Sequence, residues 1–124
     1  MKADELIDKV KSFRKLKQNW DSYGAEIISE EVILKTIDMI EQLWTYNVCF
    51  DFLTPSPSGE EILLERNGKY NDIEFETYKD GTSELIIYDK EINIIEHIKI
   101  NEDLSKVVEA LNIISNDIKY ENNK

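Results

Sequence analysis

An alternation of apolar and polar side chains over residues 61–100 constrains the fold of this chain more than any other sequence feature. It is strictest in Asp72–Tyr78, where Ile73, Phe75 and Thr77 share one side. A period of two residues is typical of a strand that buries one face. Three further runs have this character: Glu61–Arg66, Ser83–Asp89 and Glu91–Ile100. The sequence therefore predicts a four-stranded antiparallel meander.

The first turn of this meander is expected at Asn67-Gly68, a pair that is typical of a two-residue hairpin loop. Such a loop places Ile62 opposite Ile73 and Leu64 opposite Asn71. The predicted register keeps the aliphatic residues of both strands on one face of the sheet.

The second turn contains Asp80-Gly81, for which two loop lengths are open. A three-residue loop with glycine in the left-handed position places Leu85 beside Phe75. A two-residue loop would place Ile86 there instead. We prefer the three-residue loop.

Helices are expected before and after the strands, because apolar residues recur there at three- and four-residue steps. A first helix should cover residues 4–17, and a second should begin after the N-cap residue Ser29 and end near 44–46. Between them and the sheet, residues 48–53 form a short extended segment and residues 54–59, with two prolines, form a loop.

A last helix is expected over residues 101–119, followed by a frayed tail at 120–124. The whole chain, 1–124, is then one α+β domain with a helical pair (1–46), an antiparallel sheet (60–100) and a C-terminal helix. A domain of this size needs no metal or disulfide to hold it together.

Charge limits the partners that we expect. The net charge is -11 and the isoelectric point is about 4.5, so nucleic acid and anionic membranes are poor partners and a basic protein is a better one. The charge is also unevenly placed. Residues 2–17 hold six Lys or Arg and three acids, a net of +3, which leaves -14 for the remainder.

Cellular location and redox chemistry are constrained by what the sequence contains. Cys49 is the only cysteine, so no internal disulfide can form, and its apolar neighbours indicate an inert buried thiol. We expect a cytoplasmic protein, because the first residues do not resemble a signal peptide and no apolar run approaches the roughly 18 residues of a membrane span.

Catalytic and metal-binding patterns are weak. One histidine and one cysteine do not make a typical zinc site, and no glycine-rich phosphate loop is present. A weak calcium site formed by Glu74, Glu76 and Glu84 is less favoured than a solvated face. We therefore expect no enzyme, metal or cofactor. A small enzyme would need a pocket that joins Trp20, Tyr23 and His97.

The outer face of the predicted sheet mixes carboxylates with tyrosines, a composition that suits contact with a basic partner. The predicted partner-binding residues are Glu61, Glu65, Tyr70, Glu74, Glu76, Tyr78, Glu84 and Tyr88, with Leu63 and Ile86 among them. Glu76 is expected to face Glu84. A face that only keeps the protein dissolved is the alternative interpretation.

The segment Asn19–Ala25 is the least generic part of the chain, and Trp20, Asp21 and Tyr23 form a secondary candidate site. Gly24 suits a turn and Asp21 can accept bonds from nearby backbone N–H groups. The segment is interpreted chiefly as a structural clamp between two helices, and alternatively as a recognition loop.

This segment, with Ile28-Ser29 after it, resembles the Trp-Asp-x-Tyr/Phe-Gly-Ala signature of a family of small bacterial and phage proteins. The proline-containing loop 55–59 and the later Asp80-Gly81 turn are similar to that family over residues 13–88. The chain departs from the pattern at Arg66, where the family has tryptophan. The resemblance implies a fold pattern and no chemistry, since the family has no established activity.

Two functions follow as expectations. The first is a small acidic inhibitor that neutralises a basic macromolecule, such as an immunity protein, an antitoxin or a phage-encoded inhibitor of a defence nuclease. Its carboxylates would lie where phosphates otherwise bind. The alternative is a structural or assembly module, homodimeric through a sheet edge or through the basic first helix against an acidic face.

Overall fold

Within the residues that the computed structural model describes, five strands form one antiparallel sheet whose order follows the chain. The described residues are 2–45, 50–91, 93–100, 105 and 107–109. The strands are β1 (Phe52–Pro55), β2 (Glu61–Asn67), β3 (Asn71–Tyr78), β4 (Ser83–Asp89) and β5 (Ile94–Ile100). The α+β class predicted from the sequence is confirmed.

The sequence predicted four strands, and β1 is the additional strand that the structure shows. It includes Thr54 and Pro55, which the sequence analysis assigned to a loop, and it pairs with β2 through Leu53 and Leu64. Because β1 lies at the edge of the sheet, the missing N–H of Pro55 costs no ladder hydrogen bond. A proline is therefore tolerated in this strand.

The predicted register of the β2–β3 hairpin is wrong. The Gly68 N–H donates to the carbonyl of Asn71 at 2.8 Å, so the two-residue loop is Lys69-Tyr70 and lies two residues beyond the expected Asn67-Gly68. Ile62 therefore lies opposite Thr77, where Ile73 was expected, and every residue of β2 has a partner on β3. A loop at Asn67-Gly68 would leave Phe75 beside the turn that precedes β2, outside the paired strands.

The β3–β4 hairpin has the preferred register, with Leu85 opposite Phe75 and Glu84 opposite Glu76. Gly81, at φ 90°, occupies the left-handed position of the loop. Between β4 and β5 the pairing shifts near Ile87 and Tyr88. This irregularity settles the facing of β5, which the adjacent Ile94-Ile95 pair left open in the sequence.

Two helices lie on one side of the sheet. Helix α1 spans Ala3–Ser12 and continues as a single 3₁₀ turn, Phe13–Lys15, so it is shorter than the predicted 4–17. Helix α2 spans Glu30–Trp44 with Ser29 at the N-cap position, as predicted. The Ser29 hydroxyl donates to the Glu31 carboxylate at 2.5 Å, so it does not bond the helix backbone.

The predicted C-terminal helix lies largely outside the described residues. Ser105 and residues 107–109 are helical, and Val107 is fully buried in the core. Cys49 and the predicted frayed tail also fall outside the described part of the chain.

The core lies between the helices and the inner face of the sheet. Buried side chains from α1, α2 and all five strands belong to one cluster. Thr36 of α2 and Thr77 of β3 meet there through their hydroxyl groups at 2.5 Å. The opposite, outer face of the described sheet is only partly buried, and it is the surface on which the candidate site lies. No helix in the described residues is long and apolar enough to cross a membrane.

Candidate partner-binding face

The outward side chains of β2, β3 and β4 form a surface that we call the acidic face. Its members are Glu61, Leu63, Glu65, Asp72, Glu74, Glu76, Tyr78, Glu84, Ile86 and Tyr88. Seven of the eight predicted partner-binding residues lie on it. The eighth, Tyr70, lies in the turn between β2 and β3, where Lys69 Nζ sits 5.3 Å from the centre of its ring.

Carboxylates on this face are placed opposite one another. Glu65 lies across from Glu74, and Glu76 lies across from Glu84. Side chains directly opposite in an antiparallel pair have Cβ atoms about 4.5–5.5 Å apart, and like charges at that separation repel. The face therefore holds negative charge at an energetic cost to the folded protein.

The two tyrosines bind the carboxylates around them. The Tyr78 hydroxyl donates to Glu76 Oε2 at 2.5 Å and lies 3.0 Å from Glu84 Oε2. The Tyr88 hydroxyl donates to Glu74 Oε2 at 3.2 Å. Burial, followed by these neighbouring carboxylates, raises the pKa of both phenols above the ordinary value, so both keep their protons.

Burial and, after it, the charge of the face raise the pKa of two carboxyls on the face. For Glu61 the main cause is burial, and repulsion from Glu76 follows. For Glu74 burial also comes first, and repulsion from Glu65 and Glu76 adds to it, partly offset by the hydrogen bond from Tyr88. An incoming cation would reduce the electrostatic repulsion at both carboxylates.

Positive charge lies at the side of the face next to β5. Lys99 is opposite Glu84 across the β4–β5 pair, and His97 Nε2 is 3.3 Å from Glu84 Oε2. Lys90 forms an ion pair with Asp72 at 2.6 Å. The described outward positions of β2 and β3 hold no Lys or Arg. The uncompensated charge is therefore concentrated on β2 and β3.

The sequence analysis missed one member of the face, Asp72, and three of its neighbours, Phe52, His97 and Lys99. Phe52 was missed because β1 was not predicted as a strand. The side chains of β5 could not be assigned to a face because of the Ile94-Ile95 pair. Asp72 follows from the alternation of β3 and could have been included.

The face extends into an open cleft of about 670 Å³ beside the β3–β4 turn. Glu31 from the first turn of α2 and Asp80 from the turn join Glu61, Tyr78 and Glu84 there. A hydrogen bond from Ser29 lowers the pKa of Glu31, and bonds from Thr82 lower that of Asp80, so both stay charged near neutral pH. Lys79 also lines the cleft and partly offsets this negative charge.

Among the described residues, no group of three or more His, Cys, Asp or Glu side chains is arranged to hold a metal ion. In the weak calcium candidate, Glu74 and Glu76 instead accept hydrogen bonds from Tyr88 and Tyr78, and Glu84 lies 3.0 Å from the Tyr78 hydroxyl.

The secondary candidate segment, Asn19–Ala25, is a closed loop held by its own polar groups. Asp21 Oδ1 accepts bonds from the N–H groups of Tyr23 and Ala25 at 2.8 and 3.0 Å. Trp20 packs against the core and donates from Nε1 to the carbonyl of Glu26 at 2.8 Å. Tyr23, by contrast, is 93% exposed. Trp20 and Asp21 thus support the loop, and Tyr23 projects from it.

The loop docks on the proline-containing turn before β2. The N–H of Glu26 donates to the carbonyl of Pro57 at 2.8 Å, and the N–H of Ser29 donates to that of Gly59 at 2.7 Å. The turn belongs to the β1 side of the sheet, whereas His97 lies on β5 at the opposite edge. The structure therefore does not bring Trp20 and His97 into one pocket.

Comparisons with known proteins give no further assignment. No protein-family model matches the chain, and no match is found among curated proteins or solved structures.

Proposed function

We propose that the protein binds a basic macromolecule through the acidic face and blocks the surface with which that partner holds nucleic acid. The carrying observation is the array of six carboxylates on the outer side of the sheet, opposite the helices. Burial and mutual repulsion raise the pKa of Glu61 and Glu74 within it. The protein would act as a binding inhibitor and would perform no catalysis.

The spacing of the carboxylates supports this function. Alternate residues along a strand are about 7 Å apart and neighbouring strands are about 4.8 Å apart. The face is thus a closely spaced array of negative charge. A groove that binds phosphates through Lys and Arg presents the complementary charge, and the array would occupy it as a polyanion does.

The composition of the face also supports a protein partner over a simple counterion. Leu63 and Ile86 lie among the carboxylates, and Tyr78 and Tyr88 present aromatic rings. Tyrosine is enriched in the cores of protein interfaces. Carboxylates would steer the encounter and set its salt dependence, while these side chains would supply contact area.

The test compares three immobilised proteins for retention of nucleic-acid-binding proteins from the organism that carries the gene. They are the wild type, a face variant and a charge-matched control. The face variant carries Glu65→Gln, Glu74→Gln and Glu76→Gln, and the control carries Glu5→Gln, Glu26→Gln and Glu41→Gln, all exposed and off the face. Circular dichroism establishes that all three are folded.

We expect the wild type and the control to retain the same basic protein at about 50 mM salt and to release most of it at about 500 mM. The face variant should bind it at least 10-fold more weakly. In solution, the wild-type chain should prevent the retained protein from binding or cleaving nucleic acid. Equal retention by the face variant, or retention without inhibition, would refute the proposal.

A further inference from the structure

A second charged surface lies on the other side of the molecule. Residues 9–17, which we call the basic segment, hold five Lys or Arg and no acid. They are Lys9, Lys11, Arg14, Lys15 and Lys17, and all five are exposed. Arg14 forms an ion pair with Glu30 at 2.6 Å. Among the described residues, the other four form no ion pair with a carboxylate.

The two charged surfaces of one chain cannot meet. The basic segment forms the end of α1 and the 3₁₀ turn after it, and α1 packs with α2 on the inner side of the sheet. The acidic face points away from the outer side. Opposite charges are therefore separated by the thickness of the sheet and its core, and only a second molecule can bring them together.

We infer that the acidic face of one copy binds the basic segment of a second copy, so that the protein associates with itself head to tail. This inference rests on the proposed function, because it uses the same face as the binding surface. It identifies another copy of this chain as a partner, and a basic foreign protein would compete with that copy for the face.

The dimensions of the two surfaces agree. The helical part of the basic segment, residues 9–15, extends roughly 12 Å, and the eight residues of β3 extend roughly 26 Å. The basic segment can therefore lie along the face with its ammonium groups over the two pairs of facing glutamates. Salt bridges between these ammonium groups and the glutamates would replace the repulsion between carboxylates with attraction.

Apolar contacts are available beside these charges. Tyr23, which is 93% exposed, follows the basic segment by six residues. On the other surface, Phe52 lies on the outward side of β1 opposite Glu65 and is 52% exposed. Each of the two surfaces therefore has a large exposed aromatic side chain beside it, which can supply apolar contact area that the charged residues do not.

The symmetry of this contact has a consequence. Different surfaces of the two copies meet, so the contact is heterologous, and each added copy leaves a free face and a free segment unless the rotation between copies closes a ring. The acidic face, on three strands of seven or eight residues, measures roughly 14 by 25 Å. That is below the usual size of stable specific interfaces, so the association should be weak and salt-sensitive.

The experiment is sedimentation equilibrium of the full chain over about 10–500 μM at about 50 and 500 mM sodium chloride. It includes the face variant, a segment variant and a charge-matched lysine control. The segment variant carries Lys9→Gln, Lys11→Gln and Lys15→Gln, and the control carries Lys2→Gln, Lys35→Gln and Lys69→Gln. Circular dichroism again verifies folding.

At low salt, the mean mass of the wild type and of the lysine control should rise with concentration above the 14.6 kDa of one chain. It should return toward that value at high salt. The face variant and the segment variant should each associate at least 10-fold more weakly. Mixed in equal amounts they restore one intact contact, so their mass should rise toward that of two chains and stop there.

A wild type that stays at 14.6 kDa at low salt would overturn the inference. So would an equal loss of association in the lysine control, or a mixture of the two variants that remains monomeric. None of these results refutes the proposed function, which depends on retention of a foreign basic protein. Conversely, self-association without any foreign partner would refute only the proposed function.

Discussion

Glu61 and Glu74 report the charge of the acidic face at the scale of single residues. Their pKa values lie above the ordinary 4.5, so each favours the folded state only while it is protonated. The stability that they contribute is present below pH 4.5 and is lost as pH rises through the raised pKa. The pKa values of Glu31, Asp80 and Asp89 are lowered in the folded protein. The stability that these three groups contribute is present above their ordinary pKa values and is lost as pH falls through the lowered ones.

The first prediction is therefore a stability maximum near pH 5, measured by urea unfolding between about pH 3 and pH 8. The double variant Glu61→Gln and Glu74→Gln should gain about 1 kcal/mol at pH 7 and should lose less stability between pH 5 and pH 8. Glu41→Gln, exposed on α2, serves as the control. A double variant that is no more stable than wild type at pH 7 would contradict the prediction.

Gly59 carries a second consequence at this scale, because its backbone lies against the backbone of Ile27. Its φ is 75°, and a Cβ placed on it would lie 2.1 Å from the carbonyl oxygen of Ile27. Gly24 and Gly81 also have positive φ, at 87° and 90°, but a Cβ there would meet nothing within 4 Å. A comparison of alanine substitutions at the three glycines therefore distinguishes the cost of backbone strain from the cost of a steric clash.

We predict that Gly24→Ala and Gly81→Ala each cost about 1 kcal/mol through backbone strain alone. Gly59→Ala should cost at least about 3 kcal/mol, because the loops must also move apart. Urea midpoints of the three variants provide the measurement. Equal losses at all three sites would show that the contact between Gly59 and Ile27 is unimportant.

At the scale of elements, α2 is fixed to the sheet by a buried polar contact. The Thr36 hydroxyl donates to the carbonyl of Val32 at 2.7 Å and contacts the Thr77 hydroxyl, which lies 3.3 Å from the carbonyl of Ile62. Removing one member leaves the other with fewer partners in a dry core. The changes in stability caused by substituting such coupled groups are expected to be non-additive.

The third prediction concerns this pair. Thr36→Val and Thr77→Val should each destabilise the protein by about 1–2 kcal/mol, and the double variant should cost about 1 kcal/mol less than their sum. Thr45→Val, exposed just after α2, should change stability by less than about 0.5 kcal/mol. Strict additivity in urea unfolding would count against a direct contact.

The elements also show which features of the fold a sequence can predict. The β3–β4 register was predictable because Gly81 marks a left-handed loop position. The β2–β3 register was not, because the local preference of Asn67-Gly68 gave way to full pairing of both strands. Strand β1 was missed because of Pro55. A proline is excluded from an interior strand but is tolerated in an edge strand, and the local sequence does not specify whether a strand lies at the edge of the sheet.

The acidic face was largely predictable for a different reason. Which face a side chain occupies depends only on alternation, so Glu65, Glu74, Glu76 and Glu84 were assigned correctly despite the wrong hairpin loop. The positive side of the face was not predictable, because it depends on the irregular pairing near Tyr88 that turns β5.

At the scale of the whole molecule, charge is separated into a basic segment and an acidic remainder, with a net of -11. The repulsion that this creates on the acidic face is electrostatic and partly exposed, so mobile ions should screen it. At 1 M salt the screening length is about 3 Å, shorter than the separation of facing carboxylates.

The fourth prediction is that sodium chloride stabilises the protein. Raising it from about 20 to 500 mM should increase the free energy of unfolding by roughly 1 kcal/mol in wild type. The increase should be less than half as large in the face variant, whereas the control variant Glu5→Gln, Glu26→Gln, Glu41→Gln should resemble wild type. Thermal unfolding at a concentration below about 5 μM keeps self-association out of the measurement.

The position of the two-residue loop in the β2–β3 hairpin has a consequence for how this protein can change over evolution. The loop lies two residues beyond the pair that the local sequence favours, which shifts β3 by four residues along β2, and an even shift leaves every side chain on the same side of the sheet. Related chains could move this turn along the sequence and slide one row of glutamates past another. Such changes would retune partner choice without ever exposing the core.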